Sequence, residues 1–81
     1  MKEEIIFHLR GGEDFIPLIG LLKTTNLVES GSEAQSVVSM GMVMRNGAIE
    51  LRKRAKIRTG EEIEFGNTII KVIWLSDENK L

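Results

Sequence analysis

The chain is 81 residues long and 42% hydrophobic, enough for one small folded domain with a single modest core and too apolar for a disordered tail. It has no cysteine, which excludes disulfides and thiolate metal sites and fits the cytoplasm. The net charge of −1 excludes a uniformly basic or acidic protein, and no apolar run approaches the roughly twenty residues of a membrane-spanning helix.

The opening Met1-Lys2-Glu3-Glu4-Ile5-Ile6-Phe7 is acidic with a short apolar run, so it reads as a strand and not as a signal peptide. Over residues 3–9, Ile5, Phe7 and Leu9 alternate with Ile6 and His8, a strand pattern. Gly11-Gly12 ends it. Asp14 is then placed to cap a first helix, with Phe15, Leu18, Ile19 and Leu22 at helical spacing and Pro17 in the first turn. Gly20 inside that helix costs about 1 kcal/mol against alanine, which suggests close approach of another backbone. Thr24-Thr25-Asn26 reads as its end.

A second helix starts more sharply. Ser30-Gly31-Ser32-Glu33 matches a capping box, in which Ser30 bonds the Glu33 amide and the Glu33 carboxylate reaches back. Ala34, Val37 and Val38 line one face, and Gly41 stops the helix. The short connection predicts a helical hairpin.

After Gly41 the period becomes two. Asn46-Gly47 between Met42–Arg45 and Ala48-Ile49 is a strong hairpin signal, because both turn residues tolerate positive φ. Read as a strand, the following segment places Arg52, Arg54, Lys56 and Arg58 on one side and Lys53, Ala55 and Ile57 on the other. Ile63 and Phe65 lead through a Gly66-Asn67 turn to a last strand that alternates Ile70, Val72 and Trp74 with Ile69, Lys71 and Ile73. The order β-α-α-β-β-β-β predicts an α+β fold, a helical hairpin packed on a small, mostly antiparallel sheet. Residues 1–75 form the single domain and residues 76–81 a polar tail expected to fray.

Charge is unevenly spread. Residues 1–44 carry three basic and six acidic side chains, residues 45–58 six and one, and residues 59–81 two and five. Five of the eleven basic residues fall within Arg52–Arg58, a local positive field that suits a polyanion. A solvated charge run is the plain alternative.

The ordered residues resemble a known family. They are Leu21-Leu22-Lys23, Val28-Glu29-Ser30-Gly31 with Glu33-Ala34, Gly41-x-Val43-x-x-Asn46-Gly47, Glu50-x-Arg52-Lys53-Arg54-x-Lys56-Ile57 and Gly60-Glu61-x-Ile63. In this order they are similar to the alpha-L RNA-binding domain, named after the fourth protein of the small ribosomal subunit, and the resemblance covers residues 15–73. The likeness is strongest to its small stand-alone bacterial members. Three features, at four positions, depart from the family. Gln35 stands where members often carry a basic residue, Gly31 where many carry arginine, and Met44 and Arg45 exchange a polar and a valine slot.

The resemblance implies binding of structured RNA, ribosomal or transfer RNA, with the ribosome or a ribosomal precursor as the larger partner. It implies phosphate contacts at Lys23, Arg52, Lys53, Arg54 and Lys56, to which strand alternation adds Arg58. Arginine's planar fork suits phosphate, so Arg52 and Arg54 rank first. Ser30, Gly31 and Ser32 offer a second anion seat at a helix start, although ordinary capping accounts for them as well.

Catalysis finds little support. His8 has no evident nucleophile to serve. Met40, Met42 and Met44 lack cysteine or histidine company for a soft metal. Glu61, Glu62 and Glu64 read as solubilising. Phe7, Phe15, Phe65 and Trp74 sit on apolar-periodic faces and are expected in the core, which disfavours base stacking. No cofactor, metal, membrane or small-molecule substrate is expected. The second reading is a protein-interaction module that meets an acidic partner through the basic stretch and exposed methionines.

Overall fold

The computed structural model describes residues 2–10 and 13–74. The Gly11-Gly12 break and the 76–81 tail lie outside those residues. Nine elements follow in chain order: β1 Glu3–Leu9, β2 Ile16–Pro17, α1 Leu18–Thr24, α2 Gly31–Ser39, β3 Val43–Arg45, β4 Ala48–Ile49, β5 Lys56–Ile57, β6 Glu62–Phe65 and β7 Thr68–Trp74. Five strands form one sheet in the order β1-β7-β6-β3-β4, and β2 pairs with β5 in a separate two-stranded patch. The β1–β7 pair is parallel, and every other pair is antiparallel. This is the expected α+β architecture, with the β2–β5 patch added.

Alternation builds the sheet's inner face. Leu9 of β1, Val43 of β3, Ile63 of β6, and Ile70 and Val72 of β7 are buried with Leu18, Leu21 and Leu22 of α1 and Ala34, Val37 and Val38 of α2. With Ile57 of β5, apolar side chains from both helices and five strands therefore share one core, at about 25 cal/mol per Å² of apolar area removed from water.

The first helix is shorter than its apolar spacing predicts. It begins at Leu18, and Asp14 does not cap it; Pro17 occupies the capping position without a side-chain hydrogen bond. Proline disfavours helical geometry in the residue before it, so Ile16 is extended and pairs with Ile57. Phe15 is thereby excluded from the helix and is 36% exposed, and Trp74 is 44% exposed at the end of β7. Both depart from the expected core placement, whereas Phe7 and Phe65 pack partly buried against the core. Gly20 marks no backbone approach either. A Cβ added there would meet only Ile16 Cγ1 at 3.7 Å and Pro17 Cδ at 3.9 Å.

The capping box forms, with one change of partner. Ser30 Oγ accepts from the Glu33 amide at 3.1 Å, but the Glu33 carboxylate accepts from the Glu29 amide at 2.8 Å instead of that of Ser30. Gly41 ends α2 at φ +76°, where its amide and that of Met42 donate to the carbonyls of Val38 and Val37. Asn46 and Gly47 take φ values of 52° and 87°, the two positive angles of a type I′ hairpin turn.

These glycines predict opposite stability changes. Gly20→Ala removes unfolded-chain entropy without a clash and is expected to stabilise by about 0.5–1 kcal/mol. Gly41→Ala forces a Cβ into left-handed geometry and is expected to destabilise by about 1–2 kcal/mol. Thermal denaturation of the two variants checks the pair, and a shift of the same sign in both would contradict it.

Candidate nucleic-acid interface

The basic segment is not one strand. Only Lys56 and Ile57 are in β5. Before them the Ala55 amide donates to the Arg52 carbonyl at 3.2 Å, closing a turn. The first amides of α1 have no partner within the helix, and this segment supplies acceptors. Leu18 N donates to the Ala55 carbonyl at 2.9 Å and Ile19 N to the Lys53 carbonyl at 3.2 Å. The turn closed between Ala55 and Arg52 folds the chain back just before β5, which is the physical reason the strand reading fails over 52–55. Ala55 and Ile57 are buried as alternation predicts, but Lys53 is exposed and does not share their side.

Beneath the segment lies a charge network. Arg45 Nη1 donates to Glu50 Oε1 at 3.1 Å, and Arg45 Nη2 donates to Glu61 Oε2 at 2.9 Å and to the Lys56 carbonyl at 2.9 Å. Arg52 donates to Glu50 Oε2 from its amide at 3.0 Å and from Nε at 3.1 Å. The Arg58 amide donates to Glu61 Oε1 at 2.9 Å. Two carboxylates and two guanidinium groups thus tie β3, the turn and β5 together. The Arg52 guanidinium, then its amide and Arg45, hold the Glu50 carboxyl down at about 2 against its burial, which acts upward. Arg45 is raised, chiefly by its hydrogen bonds to Glu61.

Above this network opens a cleft of about 460 Å³ lined by Arg45, Arg52, Arg54, Ala55, Lys56 and Arg58. Five cations against two carboxylates, Glu50 and Glu61, leave an excess of three positive charges. Arg45 is the floor, with its side chain 20% exposed. Arg52 is committed to Glu50, so it is not the free arginine its first ranking assumed. Among the described residues, Arg54, Lys56 and Arg58 form no side-chain ion pair.

Lys53 faces a different groove, of about 300 Å³, lined also by Ser32, Gln35, Ser36, Ser39 and Met40 along α2. Lys23 sits beside the start of α2, its Cδ 3.9 Å from where a Cβ on Gly31 would lie. At the Ser30–Ser32 seat the Ser30 hydroxyl oxygen already accepts from Glu33. The structure therefore brings four of the six sequence candidates into one cleft and sets Lys53 and Lys23 along the helical hairpin. Among the described residues no group of three or more His, Cys, Asp or Glu could hold a metal ion, and no helix is long and apolar enough to cross a membrane.

Sequence reasoning places Phe15 in the core and leaves open which cations Glu50 and Glu61 pair with. Glu50 precedes Arg52 by two residues, the spacing that sets side chains on one side of an extended chain. That spacing was a usable signal. For Glu61 none was present, because its partner Arg45 is sixteen residues away.

The family model described as "S4 domain" matches residues 7–73. The chain is 35% identical over 63 residues to the "Putative RNA-binding protein YbcJ" of Escherichia coli (strain K12), covering 78% of this chain and 90% of that one. The "Uncharacterized protein YbcJ" of Shigella flexneri matches with the same figures. The solution structure of YbcJ from E. coli, described as revealing an alpha-L motif involved in RNA-binding, superposes with a TM-score of 0.67 at 34% identity, over 90% of this chain and 91% of that one.

Proposed function

Because the chain belongs to the S4 domain family, we propose that it is a non-catalytic RNA-binding module that takes folded, helical RNA such as ribosomal or transfer RNA. The observation that carries this reading is the cleft whose cations outnumber its carboxylates, with Arg54, Lys56 and Arg58 free of ion pairs among the described residues. Phosphates enter the cleft, and Lys53 and Lys23 meet the backbone where it passes the helical hairpin. The α2 start at Gly31 and Ser32 adds amides that favour an anion. Most of this contact is to backbone, so RNA shape and not base sequence sets the affinity.

Five cations outside the ion pairs, Lys23, Lys53, Arg54, Lys56 and Arg58, predict a log–log salt slope of roughly −3.5 to −4.5 for binding to a hairpin RNA. Filter binding or fluorescence anisotropy across a salt series measures it. A slope near zero, with binding retained, would remove the electrostatic reading.

One observation favours a second reading, a protein-interaction module for an acidic partner. Met40, Met42, Ile49 and Leu51 are all exposed, at 71%, 48%, 61% and 59%. A Cβ on Gly41 would lie 3.8 Å from Ile49 and 3.9 Å from Leu51, so the four flank one spot. The same titration separates the readings. Protein that binds no structured RNA even at about 50 mM salt, where phosphate contacts are strong, leaves only the second.

A further inference from the structure

Phe15 lies beside the cationic cleft without belonging to the core. It precedes β2 by one residue, and continuing the β2–β5 register places it opposite Arg58. Lys56 Nζ is 5.0 Å from the ring centroid, and Arg58 Cζ is 5.8 Å from it. Both cations also line the cleft. The ring is therefore one side chain away from where phosphates would be held.

A single exposed aromatic is ordinary. An exposed ring in contact with two cations that line one cleft and form no ion pair among the described residues is a different arrangement. Single-stranded nucleic acids are bound by cations that track the backbone beside rings that take the bases. Arg58 supplies a second plane, because a guanidinium stacks on bases as an aromatic ring does. Lys56 has a flexible stem and is readily displaced from the ring, since a cation–π contact at an exposed site is weak.

We propose that Phe15 and Arg58 form a stacking step for one unpaired base. The preferred RNA is then a helix with an extruded nucleotide, and not an uninterrupted duplex. This rests on the RNA-binding reading above. A base inside a continuous duplex has both faces covered and cannot reach the ring, whereas a bulged base is already unpaired and is cheaply placed. Arg54 and Lys56 hold the flanking phosphates while the ring and the guanidinium hold the base.

Three RNAs test this: a continuous hairpin, the same hairpin with one bulged nucleotide, and that bulge made abasic. Wild-type protein is expected to bind the bulged hairpin about fivefold or more tighter than the other two. Phe15→Leu should abolish that preference while leaving affinity for the continuous hairpin unchanged, and Phe15→Trp should keep it. Arg58→Lys, which retains charge without a plane, should reduce it. Equal loss on all three RNAs in Phe15→Leu would mean that the ring only positions the cations, and would overturn the stacking step. So would equal wild-type binding to all three. Binding to none of them would instead defeat the RNA reading itself.

Discussion

Alanine at Arg54, Lys56 and Arg58 together is expected to make the log–log salt slope of RNA binding shallower by about 2 to 2.7, because three contacts that each release about 0.7–0.9 counterions are lost. Wild-type affinity falls about 130- to 500-fold between about 50 and 200 mM salt, whereas the triple variant, left with Lys23 and Lys53, falls only about 7- to 12-fold. The three residues are chosen because their side chains are exposed and form no ion pair among the described residues. Their removal leaves the Arg45–Glu50–Glu61 network intact, so the variant should melt with the wild type, within about 0.5 kcal/mol of its stability. A titration in which variant and wild type run parallel would sink the cleft as the binding surface, whatever RNA was used.

What could be read from the sequence divides by the range of the interaction responsible. The Asn46-Gly47 turn, the Ser30–Glu33 capping box and the Gly41 stop are each decided within about four residues, and each formed. The end of the basic segment was legible for the same reason, since Ala55 and Ile57 are apolar against cationic neighbours and both are buried. The turn before it was not. Its carbonyls bond to Leu18 and Ile19, more than thirty positions upstream, and no periodicity in 52–55 encodes that docking. Phe15 is an instructive failure. Its spacing to Leu18, Ile19 and Leu22 is helical, but Pro17 two residues later denies the helix to Ile16, and a local steric rule outranks the apolar period. Glu61 reads as solubilising because sequence shows a charge's sign and not its partner. Paired to Arg45, it is part of the structure that holds the cleft open.

Glu50→Gln should destabilise the domain by about 2–3 kcal/mol, at the low end for a buried ion pair because solvent around Arg52 screens its share. The Glu50 side chain is 10% exposed and holds Arg45, itself 20% exposed, together with Arg52. An amide cannot neutralise either guanidinium. For a domain of this size the loss corresponds to a fall of about 10–20 °C in melting temperature. The exposed pairs Lys71–Glu4 and Lys2–Glu64 serve as controls, each contributing about 0–1 kcal/mol.

The effect must also depend on pH, with a definite sign. The Glu50 carboxyl is held at about 2, below its ordinary 4.5, so the folded state binds its proton less readily than the unfolded chain does. Its contribution, about 3 kcal/mol at most, is fully present above pH 4.5 and is lost as pH falls through about 2. Wild-type stability should therefore decline across that window, and the gap between wild type and Glu50→Gln should narrow toward its acid end. A gap that stays constant from pH 6 to about 2 would show that the carboxylate's charge is not what Arg45 and Arg52 answer to. The same variant separates holding the fold from holding RNA. It removes one negative charge from beneath the cleft and frees Arg52, so at temperatures where it remains folded it should bind RNA at least as tightly as the wild type does. Weaker binding by folded Glu50→Gln would mean that the geometry imposed on Arg52 matters more to the RNA than the charge it contributes.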